Sequence, residues 1–119
     1  MPEHEPVSEP GSAQALVDEG TALLKEKRLG LAEASYLKAL KVQPGFPRAM
    51  AALVRVHTER RDGAEAVRWA KQLVDTQPKN GAYLLLLGDA EQLRGDLDAA
   101  RAAWTAAANN GNAMARERL

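Results

Sequence analysis

The sequence predicts an all-α fold: three consecutive helix–turn–helix units closed by a short C-terminal helix. Three observations carry this. Apolar residues recur at three- and four-residue steps, as in Leu16, Val17, Gly20, Leu23 and Leu24, which is the period of a helix face. Turn residues punctuate these runs at regular places: Pro44-Gly45, Asp62-Gly63, Asn80-Gly81, Gly95-Asp96 and Asn110-Gly111. No stretch shows the alternation of a strand. The nearest candidate, residues 83–87, lies inside a leucine-rich helical run, and leucine favours helix.

The elements follow in order. Residues 1–11 contain Pro2, Pro6 and Pro10, which remove backbone donors, and almost nothing that a core could take up. This segment is expected to be a disordered Pro/Glu-rich tail or linker. Ser12 is a suitable N-cap for a first helix, and the stretch 27–30 interrupts the pattern. A second amphipathic run, 31–42, stops at Pro44. Pro47 suits a first helical position, and 48–60 continues as a helix. Helices are expected at 64–76, 82–94 and 97–109, with Asp62 and Asp96 as caps. Residues 113–119 form the closing helix, with Ala113, Met114 and Leu119 as its docking side chains.

Composition narrows the function classes. Apolar residues make up 45% and charged residues 27%, ordinary for a globular chain, and 119 residues give room for one domain. Aromatics are only 4% while alanine is abundant, which favours close helix packing over a core of large side chains. Net charge is zero, with Glu3, Glu5 and Glu9 unopposed in the first ten residues. The rest carries 13 acids and 16 bases, too weak and scattered an excess for a nucleic-acid footprint. The longest apolar run, 82–87, falls far short of the roughly 18 residues of a membrane span. There is no cysteine, so a disulfide frame and a thiolate zinc site are excluded. A cytoplasmic protein, or a domain of a larger one, is expected.

Candidate chemistry is sparse. His57 is the one histidine outside the first eleven residues and reads as a packing residue rather than a ligand or base. Asp96 and Asp98, and Asp89 and Glu91, are acidic pairs two residues apart, a spacing that does not share a helix face. No phosphate-binding glycine loop and no Gly-x-Ser-x-Gly element occurs. No catalytic residue, metal ligand or cofactor is assigned, and an enzyme is disfavoured. Arg55, Arg60, Arg61, Arg68, Lys71 and Lys79 make the middle unit the most basic; they could contact an acidic partner, but with Glu59, Asp62 and Glu65 interleaved they read first as a solvated surface. Trp69 is expected to pack rather than to offer a convex-face contact.

Register supplies the strongest signal. Ala32, Ala66 and Ala100 are spaced by 34 residues, as are Pro44 and Pro78, and Leu53 and Leu87. Gly20 and Gly88, Tyr36 and Trp104, and Ala39 and Ala107 are each 68 apart, two periods. This pattern resembles the tetratricopeptide repeat family, over about residues 12–112. The resemblance implies an α-solenoid of three helix–turn–helix repeats, about 13–46, 47–80 and 81–112, with 113–119 as a short C-terminal capping helix. Small residues Gly20 or Gly88 should face Ala32 or Ala100 where the paired helices approach, with Tyr36 and Trp104 filling the gap to the next helix. The second repeat departs from the family, with Val54 for Gly, His57 for an aromatic and Ala70 for an aromatic. Asn112 stands where the third repeat would close on Pro.

The resemblance also implies a function: a protein-interaction module, adaptor or scaffold, whose first helices line a concave groove for a partner polypeptide. The lining carried over by register is Gln14, Val17, Thr21, Arg48, Ala51, Arg55, Thr58, Leu85, Asp89 and Gln92. Arg48, Arg55 and Asp89 would orient the guest over an apolar floor. One subtype of the family clamps the C-terminal carboxylate of heat-shock chaperones with Lys, Asn, Asn, Lys and Arg. Val17, Thr21, Ala52, Ala82 and Leu86 occupy those positions here, so no chaperone tail should bind in that way. Nucleic acid and membrane are not expected as partners. Two other roles fit the sequence: a regulatory or localising part of a larger multidomain protein, or weak self-association through Leu16, Leu23 and Leu37. The chain is accordingly expected to be a monomer or a weak homo-oligomer.

Overall fold

The computed structural model describes residues 9–119, and the tail expected at 1–11 therefore falls largely outside the described residues. Seven helices follow one another: α1 (Ala13–Lys25), α2 (Leu29–Val42), α3 (Pro47–Glu59), α4 (Gly63–Thr76), α5 (Gly81–Arg94), α6 (Leu97–Asn109) and α7 (Ala113–Arg118). Among the described residues there is no strand.

Local chemistry starts most of these helices. The side chains of Ser12, Asp62, Asn80, Asp96 and Asn112 each accept a hydrogen bond from the backbone N–H three residues on, at 2.9 to 3.2 Å. Two helices begin without such a cap. Pro47 opens α3 with its φ already helical, and α2 starts behind Arg28 with no side-chain cap. Accordingly α2 begins at Leu29, two residues before the start read from the sequence, and the break is confined to Glu26, Lys27 and Arg28.

The ends of α1, α3 and α5 share one turn. Lys27, Arg61 and Gly95, at 34-residue spacing, adopt left-handed φ of 63°, 61° and 98°. The next N–H, of Arg28, Asp62 or Asp96, then closes on the carbonyl of Leu23, His57 or Glu91. Glycine fits this conformation without strain, whereas Lys27 and Arg61 each hold it at a cost of about 1 kcal/mol.

Sequential helices pack as antiparallel hairpins, and each hairpin stacks on the next. The first helices also meet directly, α1 with α3 and α3 with α5. The second helices form the outer layer, so the three first helices share one face. The core runs through the stack: Ala32, Tyr36, Ala39, Leu53, Val56, Ala66, Ala70 and Leu73 are inaccessible in the first two repeats, and Ala100 and Ala107 in the third. Trp69 is 9% exposed and belongs to this core, with the Arg68 guanidinium 4.6 Å from its ring centroid.

The contact within each outer hairpin differs from the sequence reading. A Cβ on Gly20 would lie 2.6 Å from Tyr36 Cε1, and one on Gly88 would fall even closer to Trp104 Cδ1 and Nε1. The atoms nearest to that Cβ thus belong to the aromatic ring of the glycine's own hairpin, and each ring packs back onto the first helix. Its polar tip bonds the residue after the glycine: Tyr36 Oη and Thr21 Oγ1 are 3.1 Å apart, and Trp104 Nε1 donates to Asp89 Oδ1 at 2.9 Å. In the middle repeat the sizes exchange: Val54 takes the glycine position and Ala70 the aromatic one, both buried in the same core.

The closing helix also docks differently. Met114 and Leu119 are 56% and 61% exposed, and Ala113 is exposed too. Ala115 is the buried contact, and it continues the 34-residue register of Ala13, Pro47 and Gly81.

Replacing Gly88 by Ala should lower stability by about 1–3 kcal/mol, because the Trp104 ring must move while bonded to Asp89. Gly30→Ala, where the nearest atom is Arg60 Nη2 at 3.7 Å, should be neutral or stabilising by a few tenths of a kcal/mol. Urea denaturation followed by circular dichroism compares the two, and equal midpoints for both variants would contradict the close approach.

Candidate protein-interaction groove

The face shared by α1, α3 and α5 carries the residues assigned to the groove. At its N-terminal end Gln14 links two helices: its carbonyl accepts from Arg48 Nη1 at 2.8 Å, and its amide donates to Asp18 Oδ1 at 2.8 Å. Ala51 and Leu85 are half-buried and packed on the core, leaving part of each side chain open as an apolar floor. Arg55 and Gln92 are exposed. Thr58 is exposed as a residue, but its hydroxyl donates to the Val54 carbonyl at 2.7 Å. Thr21 and Asp89 are half-buried and already engaged by Tyr36 and Trp104. Val17 is only 7% exposed, so it belongs to the core and offers little to a guest.

Two adjoining cavities lie on this face. One, of about 240 Å³, is lined by Val54, Arg55, Thr58, Glu59, Leu86 and Asp89. The other, of about 800 Å³, is lined by Thr58, Arg61, Asp89, Gln92, Leu93, Trp104 and Arg118. They share Thr58 and Asp89, and so join the predicted residues of α3 and α5 in one depression.

Several lining residues escaped the sequence reading, Arg118, Leu93 and Arg61 among them. Arg118 reaches from α7 to Asp89, with Nη2 to Oδ2 at 3.0 Å and Nε on Oδ1. That hydrogen bond raises the pKa of the Arg118 guanidinium above its ordinary value. Leu93 and Arg61 complete the wall. Arg118 was legible only if the register had been followed past residue 112, since Ala115 holds the next register position on α7, which lies against α6.

Elsewhere the polar clusters hold the stack together. Glu33 of α2 accepts from Arg60 Nη1 at 2.7 Å, and its other oxygen lies 3.3 Å from His57 Nε2. His57 is 4% exposed, and neither ring nitrogen makes a well-directed hydrogen bond. Buried Glu91 accepts two hydrogen bonds from Arg94, which raise the pKa of that guanidinium. Asp96 caps α6. The acidic pairs thus have separate structural roles. Leu16 and Leu23, assigned to a self-association face, pack partly buried on the core, while Leu37 is 39% exposed. Among the described residues, no helix is long and apolar enough to cross a membrane.

Comparison with known proteins gives this architecture its class: solved helical-repeat domains superpose on it along most of the chain. The first TPR domain of Spaghetti (RPAP3), bound to the HSP90 peptide SRMEEVD, matches with a TM-score of 0.83 at 17% identity, covering 91% of this chain and 87% of that one. The Sgt2 TPR domain of Aspergillus fumigatus matches with a TM-score of 0.80 at 24% identity, covering 89% and 72%. The N-terminal domain of stress-induced protein-1 from C. elegans matches with a TM-score of 0.80 at 21% identity, covering 89% and 90%. At these identities the likeness establishes the fold. Among curated protein sequences none matches the chain. The tetratricopeptide repeat profile matches residues 23–90, more than half of the sequence, and the chain belongs to the tetratricopeptide repeat family.

Asp89 joins α5, α6 and α7. Asp89→Leu should cost about 1–3 kcal/mol, because the buried Trp104 N–H loses its acceptor and Arg118 its counter-ion. Asp89→Asn keeps an acceptor and should cost less than about 1 kcal/mol. Guanidinium denaturation of both variants measures the difference, and an equal loss in the two would show that the indole bond contributes nothing.

Proposed function

We propose that this chain is a protein-interaction module, an adaptor or scaffold without catalytic activity, which holds a partner polypeptide in the groove of α1, α3 and α5. One observation carries the reading: the three first helices meet side by side, and Ala51 of α3 with Leu85 and Leu86 of α5 remain only half-buried. An extended or helical guest would bury its apolar side chains there, while Arg48, Arg55 and Gln92 supply polar contacts at the rim. The peptide bound by the Spaghetti domain supports the class of partner. The groove is largely preformed, since glycine–aromatic contacts and capped helix ends fix its walls before a guest arrives.

The clamp residues that hold a terminal carboxylate are absent, with Val17, Thr21, Ala52, Ala82 and Leu86 in their places. A free C-terminus should therefore add nothing to binding here. Calorimetry with SRMEEVD and its C-terminal amide should give equal affinities within a factor of two, and a tenfold preference for the free acid would contradict this assignment.

A photo-crosslinking amino acid at position 51 or 85 should capture partner proteins from a lysate, whereas the same group at position 101, on exposed α6 surface, should not. Identical adducts from all three positions would remove the groove from the mechanism.

A further inference from the structure

The arginines of this chain divide into two sets. Arg28, Arg60, Arg68, Arg94, Arg101 and Arg118 each lie opposite a carboxylate. Arg48, Arg55, Arg61 and Arg116 have no carboxylate partner among the described residues; Arg116 is on α7, and the other three lie on the groove side of the middle repeat. Two acids of that face already meet positive or donor groups: Asp89 is held by Arg118 and Trp104, and Glu59 lies 3.5 Å from Lys27, whereas Asp18 is bonded to the neutral Gln14 amide and keeps its charge. The Gln14 carbonyl that meets Arg48 is neutral, so it orients that cation without cancelling its charge.

Resting on the groove reading above, we infer that the partner segment is acidic, and that its side-chain carboxylates meet Arg48, Arg55 and Arg61. Arg48 and Arg55 are seven residues apart on α3, so they share a face at a rise of about 10 Å. A guest in the polyproline II conformation covers that distance in about three residues, one full turn, which returns side chains to the same face. The matching guest thus carries Asp or Glu at every third position, with aliphatic side chains between them for the floor at Ala51 and Leu85. Stacking platforms are scarce along this line: Tyr36 is inaccessible, Trp104 is only 5% exposed where it lines the larger cavity, and Tyr83 is half-buried against the core. That disfavours a single-stranded nucleic acid, which needs stacking platforms.

Arg61 gives the inference a test that loss of folding cannot imitate. It holds a left-handed backbone where the third repeat has Gly95. Arg61→Gly relieves that strain and should raise the unfolding midpoint by about 2–5 °C. The same change should weaken binding of an acidic guest about threefold.

The probe is a fluorescent twelve-residue peptide, acetylated and amidated, with Glu at every third position among Leu, Ser and Gly. Its Gln counterpart and a twelve-nucleotide thymidine oligomer are the controls, and fluorescence anisotropy with the full chain is the readout. The Glu peptide should bind at least tenfold more tightly than the Gln peptide, and the preference should vanish in Arg48→Gln/Arg55→Gln. Equal binding of the Glu and Gln peptides, no binding of the Glu peptide at millimolar protein, or equal binding of the oligonucleotide would overturn the inference. Ala51→Phe separates this from failure of the groove itself. If both peptides bind equally and both are lost in Ala51→Phe, the charge assignment falls and the groove stands. If Ala51→Phe changes neither, the groove falls as well.

Discussion

The contact between a glycine on a first helix and an aromatic ring on its partner sets the geometry of the two outer hairpins. With Tyr36 against Gly20 and Trp104 against Gly88, the ring occupies space that any Cβ would claim. Helix axes can then approach until ring and backbone touch, and the crossing is fixed by shape rather than by a continuous apolar seam. The polar tip of each ring adds direction. Tyr36 pairs with Thr21 and Trp104 with Asp89, so the ring is anchored to the same first helix on which it packs. A groove built from three first helices inherits its shape from these contacts.

The middle repeat reaches a similar packing by exchanging partners. Val54 supplies volume from the first helix, and Ala70 leaves room on the second. Trp69, one position away, is buried in the same core and adds bulk that Ala70 lacks. An exchange of this kind conserves volume better than either change alone, since Val54 opposite a ring would overpack and Ala70 opposite a glycine would leave a void. The departures from the family pattern at 54 and 70 are therefore best read as one feature.

Most of the fold was legible in the sequence because the signals were local or periodic. Apolar spacing gave the helices, and Ser12, Asp62 and Asp96 gave their starts through hydrogen bonds three residues long. The start of α2 was misplaced because Arg28 offers no capping side chain and Gly30 reads as a breaker. The direction of Tyr36 and Trp104 was not legible, since register shows that two positions recur together but not which surface each faces. The groove was legible as a list of positions on first helices, and less so as chemistry. Val17 lies too deep, and Asp89 is engaged by Arg118, a contact across 29 residues that no local rule anticipates. Left-handed Arg61 was hidden for a similar reason: Lys27, Arg61 and Gly95 share a position, but only the glycine advertises the conformation.

That shared position also separates structural from functional charge. Lys27 and Arg61 have the same strained backbone, and glycine at 95 shows that the turn forms without a side chain. Lys27 has a structural use, since its ammonium lies 3.5 Å from Glu59 of the next repeat. Arg61 has no such carboxylate among the described residues and instead lines the larger cavity. Among the described residues only Lys27 sets a carboxylate contact against that strain; a cation kept in a strained turn beside the cavity is what the acidic-guest proposal asks of Arg61. The turn that ends α3 is therefore where the demands of stability and of the groove diverge most clearly in this molecule.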